Sequence, residues 1–213
     1  MAVIKRVLGP NSLAIDVGAN EGTVLSAICQ SAPHARHHAI EPIPALAAQL
    51  RERFPHCRIH QCAAAEQVGT AEFFIANEMA YSSLEDRSIK DLQNYGLAKP
   101  ELRKTTVEIC TIDELIPTDE RVALIKIDVE SAEYRTLLGA RKLLAREKPV
   151  VIFEAGFYSE QRSRELYELF AEAGMSLTTM AWWLAGRGDF KNVADYVAAA
   201  PRGYYWLAHR KPQ

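Results

Sequence analysis

Residues 14–22, AIDVGANEG, constrain this chain more than any other stretch. A short apolar run ends in Asp16, enters a glycine-containing turn and passes into a helix-like segment. Glu41 follows Gly22 by about 20 residues, inside IEPIP. That order belongs to the first strand–turn–helix of an open parallel sheet, where the backbone packs close against a nucleotide-like ligand. Gly18 and Gly22 place no Cβ between backbone and ligand.

The remaining pattern extends this start into one fold. Residues 13–17 read as a first strand, 22–30 as a helix and 38–40 as a second strand. Pro44 suits the first position of a second helix, which carries Leu46, Leu50 and Phe54 at helical spacing and stops before Pro55. Residues 59–64 complete a β-α-β-α-β alternation, the mark of a parallel sheet covered by helices. Two extended segments, 71–75 and 105–110, interrupt the rhythm and predict an extra strand pair between strands 3 and 4, at the sheet edge. Residues 122–127 are mostly apolar, as in a strand buried on both faces. A helix over 131–145, a strand over 150–153 and a helix over 160–173 closed by Gly174 follow. Strands over 176–182 and 204–208 end the chain. The expectation is a single α/β domain over residues 1–213, a doubly wound Rossmann-like fold with a seven-stranded sheet.

Composition narrows the class. The 213 residues are 48% hydrophobic and 24% charged, the profile of a soluble globular protein. A net charge of −2 leaves no basic footprint for nucleic acid. No apolar run reaches the length of a membrane span, and the start MAVIKRVLGPNS lacks the apolar core of a signal peptide. A cytoplasmic protein is expected, with its four cysteines as reduced thiols. His56, Cys57, His60 and Cys62 invite a metal reading, but on a strand the two cysteines stand roughly 16 Å apart on opposite faces. No metal is expected there, and His60 reads as a packed histidine.

Ligands of open α/β sheets bind at the carboxyl ends of the strands. Asp16, Glu41, Ala63, Ala64, Asp128 and Glu154 fall at such ends. A carboxylate at Glu41 accepts hydrogen bonds from a ribose diol and repels a 2′-phosphate. The turn itself, D-V-G-A-N-E-G, is flanked by acidic Asp16 and Glu21, which serve a pyrophosphate poorly and a ligand bearing ammonium and sulfonium groups well. That points to S-adenosylmethionine. A tight turn with no ligand would leave both the loop and the distant Glu41 as coincidences.

The motifs IDVGANEG (15–22), IEPIP (40–44), CAAAE (62–66), SSL (82–84), TIDEL (111–115), IKIDVESAE (125–133), LLGA (137–140) and FE (153–154) together resemble the FkbM-type methyltransferases. These are class I S-adenosylmethionine-dependent enzymes that mostly methylate hydroxyl oxygens. The resemblance implies strand order 3-2-1-4-5-7-6 with the last strand antiparallel. It assigns cofactor contacts to Asp16, Gly18, Asn20, Gly22 and Glu41, with Ala63 or Ala64 near the adenine. Ser82 and Ser83 match the family's serine pair, in a loop expected to close over bound substrate. Ser131 departs from the pattern, since the family usually has glycine there.

Among acceptor-side groups, Asp128 is the first choice to face the reacting centre. Glu130, Glu133 and Glu154 lie near the same mouth as candidate general base, polyol ligand or cation ligand. Plainer roles stand beside these. Asp128 can cap the next helix, and Glu130 and Glu133 suit its first turn, where the helix dipole favours negative charge. Lys126, inside an apolar strand, reads as an ion-pair partner, and Tyr81, Trp182 and Trp183 are left unassigned. The leading function is O-methylation of a small-molecule acceptor such as a sugar or polyketide-like product. A non-catalytic S-adenosylmethionine-binding protein and a nicotinamide-dependent oxidoreductase are the competing readings, and a homodimer is a compatible assembly.

Overall fold

The computed structural model describes residues 1–76, 102–155, 158–200 and 205–211. A short helix α1 (Ala2–Val7) precedes strand β1 (Leu13–Val17), whose five residues are all buried. Helix α2 (Thr23–Ser31), strand β2 (His38–Ile40), helix α3 (Pro44–Arg53) and strand β3 (Arg58–His60) follow. Pro44 occupies the first turn of α3, where its missing N–H costs nothing. Strands β4 (Ala63–Ala64), β5 (Gly69–Ala76) and β6 (Leu102–Cys110) come next, then helix α4 (Ile112–Leu115) and strand β7 (Val122–Ile127). The chain ends with α5 (Glu133–Leu138), α6 (Arg141–Glu147), β8 (Val150–Glu154), α7 (Glu160–Glu172), β9 (Met175–Thr179), α8 (Met180–Leu184), α9 (Val193–Ala199) and β10 (Tyr205–Arg210).

Seven strands form a mixed sheet in the order β3-β2-β1-β7-β8-β10-β9. The pairs β1–β2, β2–β3, β1–β7 and β7–β8 are parallel, whereas β10 runs antiparallel to both β8 and β9. Strand order therefore reverses between β1 and β7, and the carboxyl ends of β1, β2 and β7 open on one crevice. Ile15, Ile125 and Val151 are fully buried in adjacent strands, which explains why β7 and β8 read as near-continuous apolar runs. At the antiparallel end Phe190, Tyr196 and Trp206 pack ring against ring, and Trp206 Nε1 donates to Ala155 O at 3.2 Å.

Several local expectations are corrected. The segment 59–64 is not one strand. After His60 the chain leaves the main sheet, and Ala63–Ala64 pairs in parallel with Ile109–Cys110. The extra strands thus do not extend the main sheet's edge but form a separate three-stranded sheet, β4-β6-β5. This detour sets Cys62 and Cys110 with Cα atoms 6.1 Å apart, and they are joined as a disulfide instead of remaining reduced. The spacing fits the ordinary disulfide range.

The helix expected over 131–145 breaks at Gly139. A Cβ there would stand 2.0 Å from Ala65 O, and the Gly139 carbonyl accepts Asp113 N instead of continuing the helix. The Asp113 carboxylate then accepts from Lys142 N and Leu143 N at 3.0 and 2.8 Å, capping α6. The strand expected over 176–182 ends at Thr179, whose hydroxyl accepts Trp182 N at 3.0 Å and opens α8.

Candidate functional site

A cleft of about 590 Å³ lies at the carboxyl ends of β1, β2 and β7, within the usual range for a small-molecule site. The glycine turn forms one wall. Gly18 has φ +71°, and a Cβ on it would stand 1.9 Å from Asp128 O, so only glycine lets β1 turn over the end of β7. Gly22 has φ +79°, and a Cβ there would run into Phe54 and Leu50 at 2.6 and 2.7 Å. Between them Asn20, at φ +47°, takes the left-handed conformation that Asn tolerates. Gly18 N and Ala19 N both donate to Ile40 O, at 3.0 and 3.2 Å, which fixes the turn to the end of β2.

Glu41 lines the cleft and is 4% exposed. Its Oε2 accepts Asn20 N at 2.8 Å and its Oε1 accepts Ile43 N at 2.9 Å. Burial raises its pKa, against the pull of these two hydrogen bonds. A carboxylate offers about four lone-pair sites, so acceptor capacity remains for a diol in the cleft. Ala63, Ala64, Ile43 and Phe73 also line the cleft, forming an apolar slot that shares it with the carboxylate.

Two expected cofactor residues stand behind the wall. Asp16 is fully buried and Gly22 packs on α3, and neither lines the cleft. Lys126, read from the sequence as an ion-pair partner, pairs with Asp16 and also organises the floor. Its Nζ donates to Gly18 O at 2.7 Å and Val17 O at 3.3 Å, and stands 3.2 Å from Asp16 Oδ1 and 3.9 Å from Asp128 Oδ2. Lys126 is the charge that compensates that buried carboxylate. Burial raises the Asp16 pKa, and Lys126 opposes the rise.

Asp128 and Glu130 line the open end, beside Val129. Glu154 comes from the next strand, and carboxylate oxygens of Asp128, Glu130 and Glu154 all lie within 4.8 Å of one another. Among the described residues, these three could hold a cation. Tyr205 pairs with Glu154 across β8 and β10, and its pKa is pushed up to about 12, first by burial and then by the three carboxylates. Nothing local marks Tyr205 in the sequence, because only the antiparallel return of β10 brings it here.

Glu133 departs from its expected place. It is 2% exposed and turned inward, accepting from Val129 N and Ser131 N at 3.2 Å each and from the Tyr158 hydroxyl at 2.9 Å. It shapes the turn that carries Asp128 and Glu130 instead of meeting an acceptor. Within that turn Glu130 and Ser131 have φ of +53° and +80°. Ser82, Ser83 and Tyr81 lie outside the described residues. Trp182 packs on Phe190, Arg6 stacks on Trp183, and neither tryptophan lines the cleft. His60 stacks on His38 with ring centroids 5.1 Å apart, a packed histidine whose pKa burial lowers to about 4.

Residues 16–193 match the methyltransferase FkbM domain, so the match spans the glycine turn, the cleft and the acidic mouth. The chain belongs to the FkbM methyltransferase family. Among solved structures it resembles methyltransferase FkbM from Methylobacillus flagellatus KT, with TM-score 0.55 and 17% identity over 95% of this chain. The alignment takes in 44% of that larger chain. An rRNA methylase from Streptococcus thermophilus superposes with TM-score 0.50 and 8% identity, covering 100% of this chain and 93% of that one. A Streptococcus mutans protein classed as a methyltransferase, in complex with SAH, gives TM-score 0.50 and 10% identity over 99% and 94% of the two chains. At these identities the likeness is one of fold. Curated protein sequences contain no match to this FkbM chain.

Proposed function

We propose that this FkbM protein is an S-adenosylmethionine-dependent methyltransferase acting on a hydroxyl oxygen of a small molecule, with a sugar or polyketide-like product as the acceptor class. The observation that carries the reading is Glu41, a buried carboxylate held by Asn20 N and Ile43 N at the rim of an apolar slot. That arrangement fits a ribose diol joined to a flat purine, and the cleft volume suits a nucleoside-sized ligand. The SAH bound to the Streptococcus mutans fold neighbour supports the same cofactor class.

S-adenosylmethionine, when bound, supplies an already activated methyl group. The chain's own residues have the remaining work. Glu41 and the Gly18–Asn20 backbone bind and orient, and Ala63, Ala64 and Phe73 exclude water from the apolar slot. In this reading Asp128, half-buried at the mouth, takes the proton of an acceptor hydroxyl. Glu130 and Glu154 offer oxygens to further hydroxyls of a polyol. Alignment of acceptor and donor supplies much of the rate, as in any two-substrate transfer.

Calorimetry with S-adenosylhomocysteine and with NAD tests the cofactor assignment. Micromolar binding of the first and none of the second is expected, and the reverse would make the protein a nicotinamide enzyme. Asp128→Asn should lower kcat by about 100-fold or more while leaving S-adenosylhomocysteine affinity within about twofold. Unchanged turnover would remove Asp128 from proton transfer. Cofactor binding without product release on any of a panel of sugars and polyketide alcohols would favour the non-catalytic binding protein.

A further inference from the structure

Each of the chain's four cysteines has a second sulfur beside it. Cys62 and Cys110 are joined. The other two are free thiols. Cys29 lies near the end of α2 and Cys57 in the turn before β3, with their Sγ atoms 3.5 Å apart. We propose that Cys29 and Cys57 form a thiol–disulfide exchange site that takes low-molecular-weight disulfides, with Cys29 as the attacking sulfur and Cys57 as the resolving one.

Geometry and access carry this assignment. A disulfide needs sulfurs about 2.05 Å apart, so closure requires the two sulfurs to approach by about 1.5 Å. Cys29 is partly exposed, whereas Cys57 is 9% exposed and buried with Ala19, Leu25, Ala39 and Leu50. A disulfide arriving from solvent therefore meets Cys29 first. Either thiol can donate in the contact between them; when Cys57 donates, the bond holds Cys29 below the usual thiol range, and the same bond together with burial pushes Cys57 above it. A thiolate favoured at the exposed position is the arrangement an attacking cysteine needs.

The chemistry closes without a further reagent. The Cys29 thiolate attacks one sulfur of a disulfide RSSR, forming Cys29–S–SR and expelling RS⁻. Cys57 then gives up its proton and attacks the Cys29 sulfur, expelling the second RS⁻. The two protons from the protein thiols pass to the leaving thiolates, so one dithiol and one RSSR give one protein disulfide and two RSH. Ala19, in the same apolar cluster, belongs to the glycine turn, so the new bond would form directly behind the cleft wall. The site is independent of the methyl-transfer reading.

The full-length protein incubated with glutathione disulfide near neutral pH, alkylated and digested with trypsin without reductant, provides the test. The expected product links peptide 7–36, which contains Cys29, to peptide 54–58, which contains Cys57, and reduced glutathione in excess reverses it. Cys57→Ser should retain glutathione on Cys29, because no resolving thiol remains. Cys29→Ser should carry none on Cys57. Absence of the 7–36 to 54–58 link in the folded wild-type protein overturns the proposal without recourse to either variant. Glutathione on Cys57 in folded Cys29→Ser overturns the assignment of attacking and resolving sulfur.

Discussion

The two walls of the cleft are built by different means. On the glycine-turn wall the working groups come from the ends of the first two strands and are bonded inward: Glu41 is 4% exposed, with both carboxylate oxygens engaged by backbone N–H groups. At the mouth, Asp128, Glu130 and Glu154 are only half-buried and are crowded within 4.8 Å, with Tyr205 contributed by a strand that arrives much later in the chain. The first wall is fixed by what the backbone demands. The second is fixed by long-range convergence and by a turn whose conformation runs against its side chains. Two walls can therefore share one crevice while being specified with unequal strictness.

Lys126 joins the two walls, so the largest expected effect falls there. Lys126→Met removes the ion-pair partner of Asp16, whose carboxylate is 0% exposed. Leaving a buried charge uncompensated costs about 3–5 kcal/mol, to be read by chemical denaturation at neutral pH. The pH dependence has a defined sign. The folded-state pKa of Asp16 is raised by burial, and without Lys126 it rises further. A carboxyl with a raised folded pKa favours the folded state below its unfolded value near 3.8 and loses that contribution as pH rises through the folded value. The Lys126→Met deficit should thus be smallest in acid and grow toward neutrality. The double variant Asp16→Asn, Lys126→Met should recover much of it. A small deficit that is flat with pH would break the idea that one ion pair ties the walls together.

Glu41→Ala acts on the strict wall alone. Loss of a charge-assisted hydrogen bond should weaken S-adenosylhomocysteine binding by about 1.5–3 kcal/mol in calorimetry. The same substitution at Glu130 should change that affinity by less than about 0.5 kcal/mol. Equal effects at the two positions would erase the distinction between the walls.

What could be read in advance follows the same division. Gly18, Asn20 and Glu41 were legible because a turn at φ +71° and a carboxylate about 20 residues later leave a signature in any chain that uses them. Asp16 and Gly22 were legible as parts of the motif, yet they act through packing and charge from behind the wall. Asp128, Glu130 and Glu154 were singled out because strand ends are where such sheets put ligands, and the structure gathers them at the mouth. Glu133 was misplaced, since a first-turn glutamate looks alike whether it faces solvent or curls back onto Val129 N and Ser131 N. Residues 59–64 hid the departure of β4 because the apolar pattern does not change where the hydrogen-bonding partner does. Phe73 and the Cys62–Cys110 pair depend on that departure, the two cysteines being separated by 48 residues.

Ser131 gives the smallest effect and the sharpest test of the looser wall. Its φ of +80° is a conformation in which a side chain costs about 1–2 kcal/mol. Glycine would remove that cost but would add about 0.4–1 kcal/mol of unfolded-state entropy. The difference predicts that Ser131→Gly stabilises the protein by about 0.5–1 kcal/mol, a rise of about 1–4 °C in Tm at this chain length. The hydrogen bond from Ser131 N to Glu133 involves backbone and survives the change, so it does not confound the result. If Ser131→Gly leaves Tm unchanged or lowers it, the turn is not strained, and the softness assigned to the acceptor wall must come from its crowded carboxylates alone. If Tm rises while kcat falls, the serine holds Asp128 and Glu130 in a geometry that the more permissive glycine releases.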